Sequence, residues 1–177
     1  MDFEDCRIDQ NTWSVLKEQV TFGHLPILEI DGRQVNQLVA ICKYLARKVN
    51  LNGADDWEDL QIDAIVDTII DFRARIILFH FENDEAVKEK LRDALYKKTI
   101  PYYLERFENI VKSNNGHFVA EKLTWADLFF VGLLDGLTFM AKKDFIADYP
   151  NLKQLQKNVE NLPAIKDWIK KRPVTPV

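Results

Sequence analysis

The chain has 177 residues, of which 47% are hydrophobic, and a formal net charge of −4. This hydrophobic fraction allows a sizeable core in one large domain or two small ones, and it excludes a disordered chain. Lysines and arginines are interspersed with aspartates and glutamates, so we expect no basic patch for nucleic acid. Residues 1–5 lack the positive charge and the apolar run of a secretion signal, and the longest apolar stretch, residues 128–141, is shorter than the roughly 20 residues that cross a bilayer. We therefore expect a cytoplasmic protein that does not enter a membrane.

The chain contains only two cysteines, Cys6 and Cys42. Two cysteines are too few for a disulfide framework, and these two lack the partner spacing of a metal site. We expect reduced thiols and no metal.

The first 49 residues predict a small mixed unit. Residues 3–8 alternate weakly in the manner of a strand, and a short helical turn is expected over residues 12–18. An antiparallel hairpin is predicted where residues 26–30 are followed by Asp31-Gly32, the pair typical of a tight turn, and by residues 33–35. From Gln37 to Val49 the apolar residues recur at helical spacing, which predicts a helix that packs on the hairpin.

The remainder of the chain is helical in pattern. Residues 50–56 contain turn formers without periodicity, and we place the linker between domains there. Helices are predicted over residues 57–81, 84–113, 124–142, 151–161 and 163–171. Thr124 and Asp127 have the spacing of a capping box at the start of an apolar helix. The predicted organisation is a mixed domain over residues 1–49, the linker, and an all-α domain over residues 57–177.

Several segments resemble the sigma-class glutathione transferases, in the same order along the chain. In the first domain they are FGHLPILEIDG at residues 22–32, Gln37, and AICKYLA at residues 40–46. In the second domain they are IDAIVDTIIDFR at residues 62–73, LTWAD at 123–127 and LPAIKDW at 162–168. The resemblance implies a two-domain α+β glutathione-transferase fold whose first domain is thioredoxin-like. It also implies transfer of glutathione, the co-substrate, to small electrophilic substrates, with peroxide reduction or prostaglandin isomerisation as further activities of the class. A homodimer without metal is expected on the same ground.

The resemblance also implies a glutathione site. Its residues are Trp13, Lys17, Gly23, His24, Leu25, Pro26, Gln37, Leu38 and Asp71. Leu25-Pro26 corresponds to the family's cis-proline, beside which the main chain of Leu25 pairs with the tripeptide as an added strand does. Trp13 and Lys17 correspond to residues that hold the glycyl carboxylate, and Asp71 to one that reaches the α-ammonium of glutathione in the neighbouring subunit. From the residues alone, a trans proline, a surface tryptophan and a solvated acidic helix face explain the same pattern.

Gln37-Leu38 stands where the family has Gln-Ser at a helix start, holding the γ-glutamyl carboxylate. Leu38 has no hydroxyl, and one lost hydrogen bond to a charged group costs about 1.5 to 3 kcal/mol, or about one to two powers of ten in affinity. We therefore expect weak glutathione binding.

Three apolar residues correspond to the family's pocket for the electrophile. They are Leu78, Phe81 and Phe129. Aromatic residues at helical spacing are more often core than pocket, so the substrate is not identified by them.

The resemblance begins after the family's first strand, which carries the catalytic tyrosine, and after the helix that follows that strand. We accordingly expect no catalytic residue in this chain, no central neighbour for a strand at residues 3–8, and poor conjugating activity for the 177 residues alone. Two explanations stay open: a shortened form of an ordinary transferase, which the intact helical segments favour, or a non-enzymatic structural or binding relative such as the lens crystallins.

Overall fold

The hairpin and the helices around it form the first of two compact units, Met1–Val49 and Asn50–Val177. The structure is a computed structural model and describes residues 2–173. The regular elements of the first unit are helix α1 (Gln10–Leu16), 3-10 turns at Lys17–Gln19 and Thr21–Gly23, strands β1 (Ile27–Ile30) and β2 (Arg33–Asn36), and helix α2 (Leu38–Lys48). The predicted helical turn, hairpin and helix are thereby confirmed.

The hairpin turn follows from its two central residues. Asp31 has φ 51° and Gly32 has φ 73°, the left-handed conformations that an Asp-Gly turn allows at low cost. This turn fixes the antiparallel register, in which Ile27 lies opposite Asn36 and Glu29 opposite Gln34.

The strand predicted for residues 3–8 is wrong. Residues 2–9 adopt no regular secondary structure, and the sheet within the described part of the chain consists of β1 and β2 alone. An alternating segment becomes a strand only when a neighbour completes its hydrogen-bond ladder, and here Phe3 is 71% exposed instead of covering a core. The segment ends at Asp9, whose carboxylate caps α1 by accepting from the N–H groups of Asn11 (2.9 Å) and Thr12 (3.1 Å).

The regular elements of the second unit are all helical within its described length. Its helices are α3 (Asp56–Phe81), α4 (Glu85–Ala94), α5 (Ile100–Ser113), α6 (Trp125–Ala141), α7 (Pro150–Glu160) and α8 (Pro163–Lys171). The helix predicted over residues 84–113 is interrupted by a π-helical segment, Leu95–Thr99, which joins α4 to α5. Among the described residues, no helix combines the length and the apolar character needed to cross a bilayer.

The core of this unit is a cluster of aromatic rings between its helices. Phe107 lies edge-on to Phe118, Phe130 and Phe72, with ring centroids 5.6, 5.8 and 6.3 Å apart. Edge-to-face pairs contribute about 0.5 to 1.5 kcal/mol each beyond the area they bury. The cluster holds α3, α5 and α6 against one another.

The predicted capping box at the start of α6 is confirmed and is completely buried. Thr124 and Asp127 are each 0% exposed. One carboxylate oxygen of Asp127 accepts from the N–H of Thr124 (2.8 Å), and the other accepts from the N–H of Phe118 (2.9 Å), which ties the preceding loop to the helix. His117 Nδ1 lies 3.4 Å from the same carboxylate. Burial raises the pKa of Asp127, while these N–H groups and the imidazole oppose the increase.

Residues 50–55 are bound to the helical unit. The N–H of Trp125 donates to the carbonyl of Leu51 (2.9 Å), and the N–H of Gly53 donates to the carboxylate of Asp59 (2.8 Å). A Cβ on Gly53 would lie 2.5 Å from the backbone nitrogen of Asp59, so this turn accepts no side chain.

Candidate functional site

The segment from Gly23 to Pro26 leads into strand β1 and leaves the backbone groups of Leu25 unpaired among the described residues. The Leu25–Pro26 peptide bond is cis, as the resemblance implied. Leu25 is 48% exposed, and neither its N–H nor its C=O has a hydrogen-bond partner within residues 2–173. His24 is also exposed. An extended peptide can pair with such open backbone groups as an added strand does.

The structure brings Lys17 to this segment. A Cβ built on Gly23 would lie 3.0 Å from Lys17 Cγ, so the lysine stem lies directly against the glycine. Gly23 has φ +56°, a conformation that glycine adopts without steric cost. The side chain that carries the Lys17 ammonium therefore lies against Gly23, two residues before Leu25.

Trp13 lies in α1, four residues before Lys17, which brings both side chains to the same side of the helical turn. Its side chain is half-buried, while Lys17 is exposed. This arrangement fits an indole N–H and an ammonium offered to one anion, and it equally fits a tryptophan that covers the base of the turn.

The first turn of α2 has backbone N–H donors without intrahelical acceptors. Gln37, at φ 87°, is the N-cap residue, and no side chain caps the helix. The first backbone hydrogen bond of α2 runs from the N–H of Ile41 to the carbonyl of Gln37, which leaves the N–H groups of residues 38–40 without an intrahelical acceptor. Leu38 itself is half-buried and supplies no hydroxyl at this position.

Asp71 lies in the second unit on an exposed side of α3. Asp67, one turn earlier, is also exposed, whereas Asp63 is half-buried. No ion pair links Asp71 to Arg75 within the described chain, although their spacing allows one. The described residues contain no group of three or more His, Cys, Asp or Glu side chains positioned for a metal ion.

The three predicted pocket residues have different surroundings. Leu78 and Phe81, near the end of α3, are 53% and 69% exposed. Phe129 is buried in α6, where its ring lies edge-on to Trp125 at 6.0 Å between centroids. Phe129 is therefore a core residue, whereas Leu78 and Phe81 are surface residues.

Leu78 lines a cavity of about 420 Å³, and its other lining residues are not among those predicted from the sequence. Arg75, Tyr102 and Tyr103 are among its other lining residues. The adjacent tyrosines Tyr102 and Tyr103 were the feature of the sequence that could have indicated this cavity. Two neighbouring positions of one helix face different directions, so only one of the two tyrosines fits a buried stripe.

The chemistry open to the described side chains is limited. Tyr44 is the single tyrosine of the first unit, and it lies in α2. The ammonium nitrogen of Lys48 lies over the Tyr44 ring, 5.3 Å from the ring centroid. The carboxylate of Glu4 raises the pKa of the exposed Cys6 thiol, and burial raises the pKa of Cys42. Neither thiol is therefore an activated nucleophile.

Comparison with known proteins identifies the family of the chain. The family model for the glutathione S-transferase C-terminal domain matches residues 70–172. Glutathione S-transferase S1 of Drosophila melanogaster is 44% identical over 176 residues, which cover 99% of this chain and 71% of that protein. The chain belongs to the glutathione S-transferase family.

The fold agrees with this assignment. The solved structure of prostaglandin synthase D of Nilaparvata lugens matches with a TM-score of 0.94 and 42% identity, over 99% of this chain and 87% of that one. Hematopoietic prostaglandin D synthase of Rattus norvegicus is 34% identical over 174 residues, or 98% of this chain and 85% of that protein. The two-domain α+β glutathione-transferase fold and the membership in an enzyme family of transferases are thus established.

Proposed function

We propose that this chain is a sigma-class glutathione transferase that holds glutathione on its first unit and serves its transfer to small electrophiles. The observation that carries the proposal is the open main chain of Leu25, two residues after Gly23, against which the Lys17 stem lies. Glutathione is an extended tripeptide with a carboxylate at each end. An added-strand contact to Leu25 leaves one carboxylate to the Trp13 and Lys17 side and the other to the open N–H groups at the start of α2.

The contact at α2 is incomplete in this chain. Backbone N–H groups and the helix dipole favour the γ-glutamyl carboxylate, but Leu38 adds no hydroxyl to them. The variant Leu38→Ser should therefore tighten glutathione binding by about one to two powers of ten, since a hydrogen bond to a charged group is worth about 1.5 to 3 kcal/mol.

Isothermal calorimetry with glutathione tests this expectation. Leu38→Ala is the matched control, because it shortens the side chain without adding a donor, and its affinity should stay close to that of the parent chain. Equal gains from serine and alanine would show that the leucine obstructs the ligand sterically. Unchanged affinity in both variants would contradict a carboxylate contact at this helix start.

We further propose that Asp71 contacts glutathione bound to a second copy of the chain, which requires a homodimer. Support comes from the exposure of Asp71 and from the resemblance of its segment. Asp71→Asn should weaken glutathione binding without changing dimerisation, and Asp67→Asn, one turn away, is the control. A monomer by light scattering would remove the basis for this role.

Binding and thiol activation are separable in this chain. Among the described residues of the first unit, Tyr44 carries the one phenolic hydroxyl, and no cysteine has a lowered pKa. We infer that the 177-residue chain by itself binds glutathione with the thiol near its ordinary pKa of about 8.5 and conjugates it slowly. Retention on immobilised glutathione together with little thiolate absorbance at neutral pH is the expected result. Retention with turnover equal to that of the insect relatives would contradict the inference and also exclude a purely structural, crystallin-like role.

The identity of the electrophilic substrate is the most detailed part of the proposal. The similarity to prostaglandin synthase D of Nilaparvata lugens makes a prostaglandin endoperoxide one substrate to assay, beside a chlorinated aromatic and an organic peroxide. The cytoplasmic location stays a prediction.

A further inference from the structure

Glycine follows an aspartate or an asparagine at four places in the chain. They are Asp31-Gly32, Asn52-Gly53, Asn115-Gly116 and Asp135-Gly136. At such a dipeptide the glycine nitrogen can attack the side-chain carbonyl carbon and close a succinimide ring, because glycine has no side chain that hinders the approach. The nitrogen must be free of its hydrogen bond to do so, and the backbone must be able to turn. The structure therefore decides which of the four dipeptides reacts.

Both Asn-Gly dipeptides are held by hydrogen bonds. The N–H of Gly53 donates to the carboxylate of Asp59 (2.8 Å), and Nδ2 of Asn52 donates to the carbonyl of Gly53 (2.8 Å). The N–H of Gly116 donates to the carbonyl of Val111 (2.9 Å) in the turn that ends α5. Each glycine nitrogen must leave its acceptor before it can attack, which slows the reaction.

The second Asp-Gly dipeptide is fixed within a helix. Asp135 and Gly136 lie in α6, where the glycine N–H is bonded to the carbonyl four residues earlier. Arg172 donates to the carboxylate of Asp135 at 3.0 Å. Ring closure at this position requires local unfolding of α6.

Asp31-Gly32 differs from the other three dipeptides. It is the exposed turn of the hairpin between β1 and β2. Within residues 2–173, the N–H of Gly32 has no acceptor, and the carboxylate of Asp31 neither accepts a hydrogen bond nor pairs with a cation. A Cβ on Gly32 would meet nothing within 4 Å, so the space around the turn is open.

We propose that Asp31 is a modification site at which this chain converts spontaneously to isoaspartate, while the fold protects the other three dipeptides. The nitrogen of Gly32 attacks the carbon of the protonated Asp31 carboxyl group. A C–N bond forms, and the amide proton and the carboxyl hydroxyl leave as water. Water then opens the succinimide at either carbonyl, which restores aspartate or leaves the main chain running through the side-chain carbon. Water is the only co-reactant, and the mass of the chain is unchanged.

The conversion lengthens the main chain of the turn by one methylene group. A two-residue turn fixes the register of its hairpin, in which Ile30 lies opposite Arg33. Isoaspartate at position 31 should therefore disrupt this pairing, and the amide signals of Ile30 and Arg33 report the change.

The two Asp-Gly dipeptides of the parent chain provide a first test. The folded chain is incubated for weeks at neutral pH, and isoaspartate is located by peptide mapping with electron-transfer fragmentation. It should accumulate at position 31 at least about tenfold faster than at position 135, since an intact hydrogen bond is worth about one power of ten. Incubation in guanidinium is the control, and there the two rates should converge. Equal rates in the folded chain would overturn the inference.

The variant Asp31→Asn gives a second test that removes any difference in side-chain chemistry. It places the same Asn-Gly dipeptide at three positions of one molecule, and Asn-Gly suits this turn as well as Asp-Gly does. Ammonia loss at position 31 should be at least about tenfold faster than at Asn52 and Asn115 in the folded chain. The three rates should converge in guanidinium.

A rate at position 31 no faster than that at Asn115 in the folded variant would show that hydrogen bonding does not select the site, and the inference would be wrong. Neither measurement involves glutathione. A negative result would therefore leave the proposed function intact.

Discussion

Removing the carboxylate of Asp127 should destabilise the helical unit far more than removing an exposed helix cap. Asp127 and Thr124 are completely buried, and Phe118 is 2% exposed. In Asp127→Ala the N–H groups of Thr124 and Phe118 lose acceptors at 2.8 and 2.9 Å. Each buried donor left unpaired costs about 1 to 3 kcal/mol.

The net loss in the free energy of unfolding is smaller than the summed cost of these two unpaired donors. The ionised carboxylate is itself unfavourable in this environment, since burial raises the pKa of Asp127. We expect Asp127→Ala to lower the free energy of unfolding by about 3 kcal/mol, within the range of buried hydrogen-bond losses. For a domain of about 150 residues this corresponds to a fall in Tm of roughly 6 to 12 °C.

The matched control is Asp84→Ala at the start of α4. Asp84 accepts from the N–H groups of Ala86 (2.9 Å) and Val87 (3.0 Å) in the same manner, but it is exposed, so water replaces the lost bonds. Its loss should be about 1 kcal/mol. Urea unfolding followed by tryptophan fluorescence measures both, and hydrogen exchange at the Thr124 and Phe118 amides localises the effect. Equal losses in the two variants would refute the argument from burial.

Three further predictions concern backbone and pH. Gly23→Ala, at φ +56° with Lys17 Cγ 3.0 Å from the new Cβ, should weaken glutathione binding in calorimetry, whereas Gly32→Ala, which meets nothing within 4 Å, should spare it. Gly53→Ala should lower Tm by several degrees, because its Cβ meets a backbone nitrogen at 2.5 Å, and an unchanged Tm would show that the turn rearranges freely. The folded-state pKa of Asp127 is raised above the ordinary 3.8, so its contribution to stability falls as pH rises through that window. The advantage of the parent chain over Asp127→Asn in urea unfolding should accordingly be larger near pH 4 than near pH 7, and the opposite trend would contradict the raised pKa.

Local chemistry explains which elements were predictable from sequence. The Asp31-Gly32 turn and the Thr124 to Asp127 box each depend on residues a few positions apart, and both formed as predicted. An alternating segment such as residues 3–8 forms a strand only beside a neighbouring strand, which local sequence cannot supply. The strand predicted there was therefore wrong.

The features that were missed depend on residues distant in the sequence. Glu108 in α5 accepts from the backbone N–H groups of Asn151 and Leu152 at the start of α7, both at 3.0 Å and more than 40 positions away. The π-helical segment Leu95–Thr99 likewise interrupts what the sequence pattern predicts as one continuous helix. Helix pattern alone predicts none of these, whereas the proposed glutathione-site residues were predicted from the resemblance of whole segments.

The most direct test of the central claim is a glutathione titration of the 15N-labelled chain followed by amide shifts in NMR. If the open main chain of Leu25 pairs with the tripeptide, the Leu25 amide should shift strongly and saturate with the same dissociation constant as the amides of residues 38–40. If the Leu25 amide is unmoved at saturating glutathione while other amides shift, the ligand binds elsewhere and the account of the first unit is wrong.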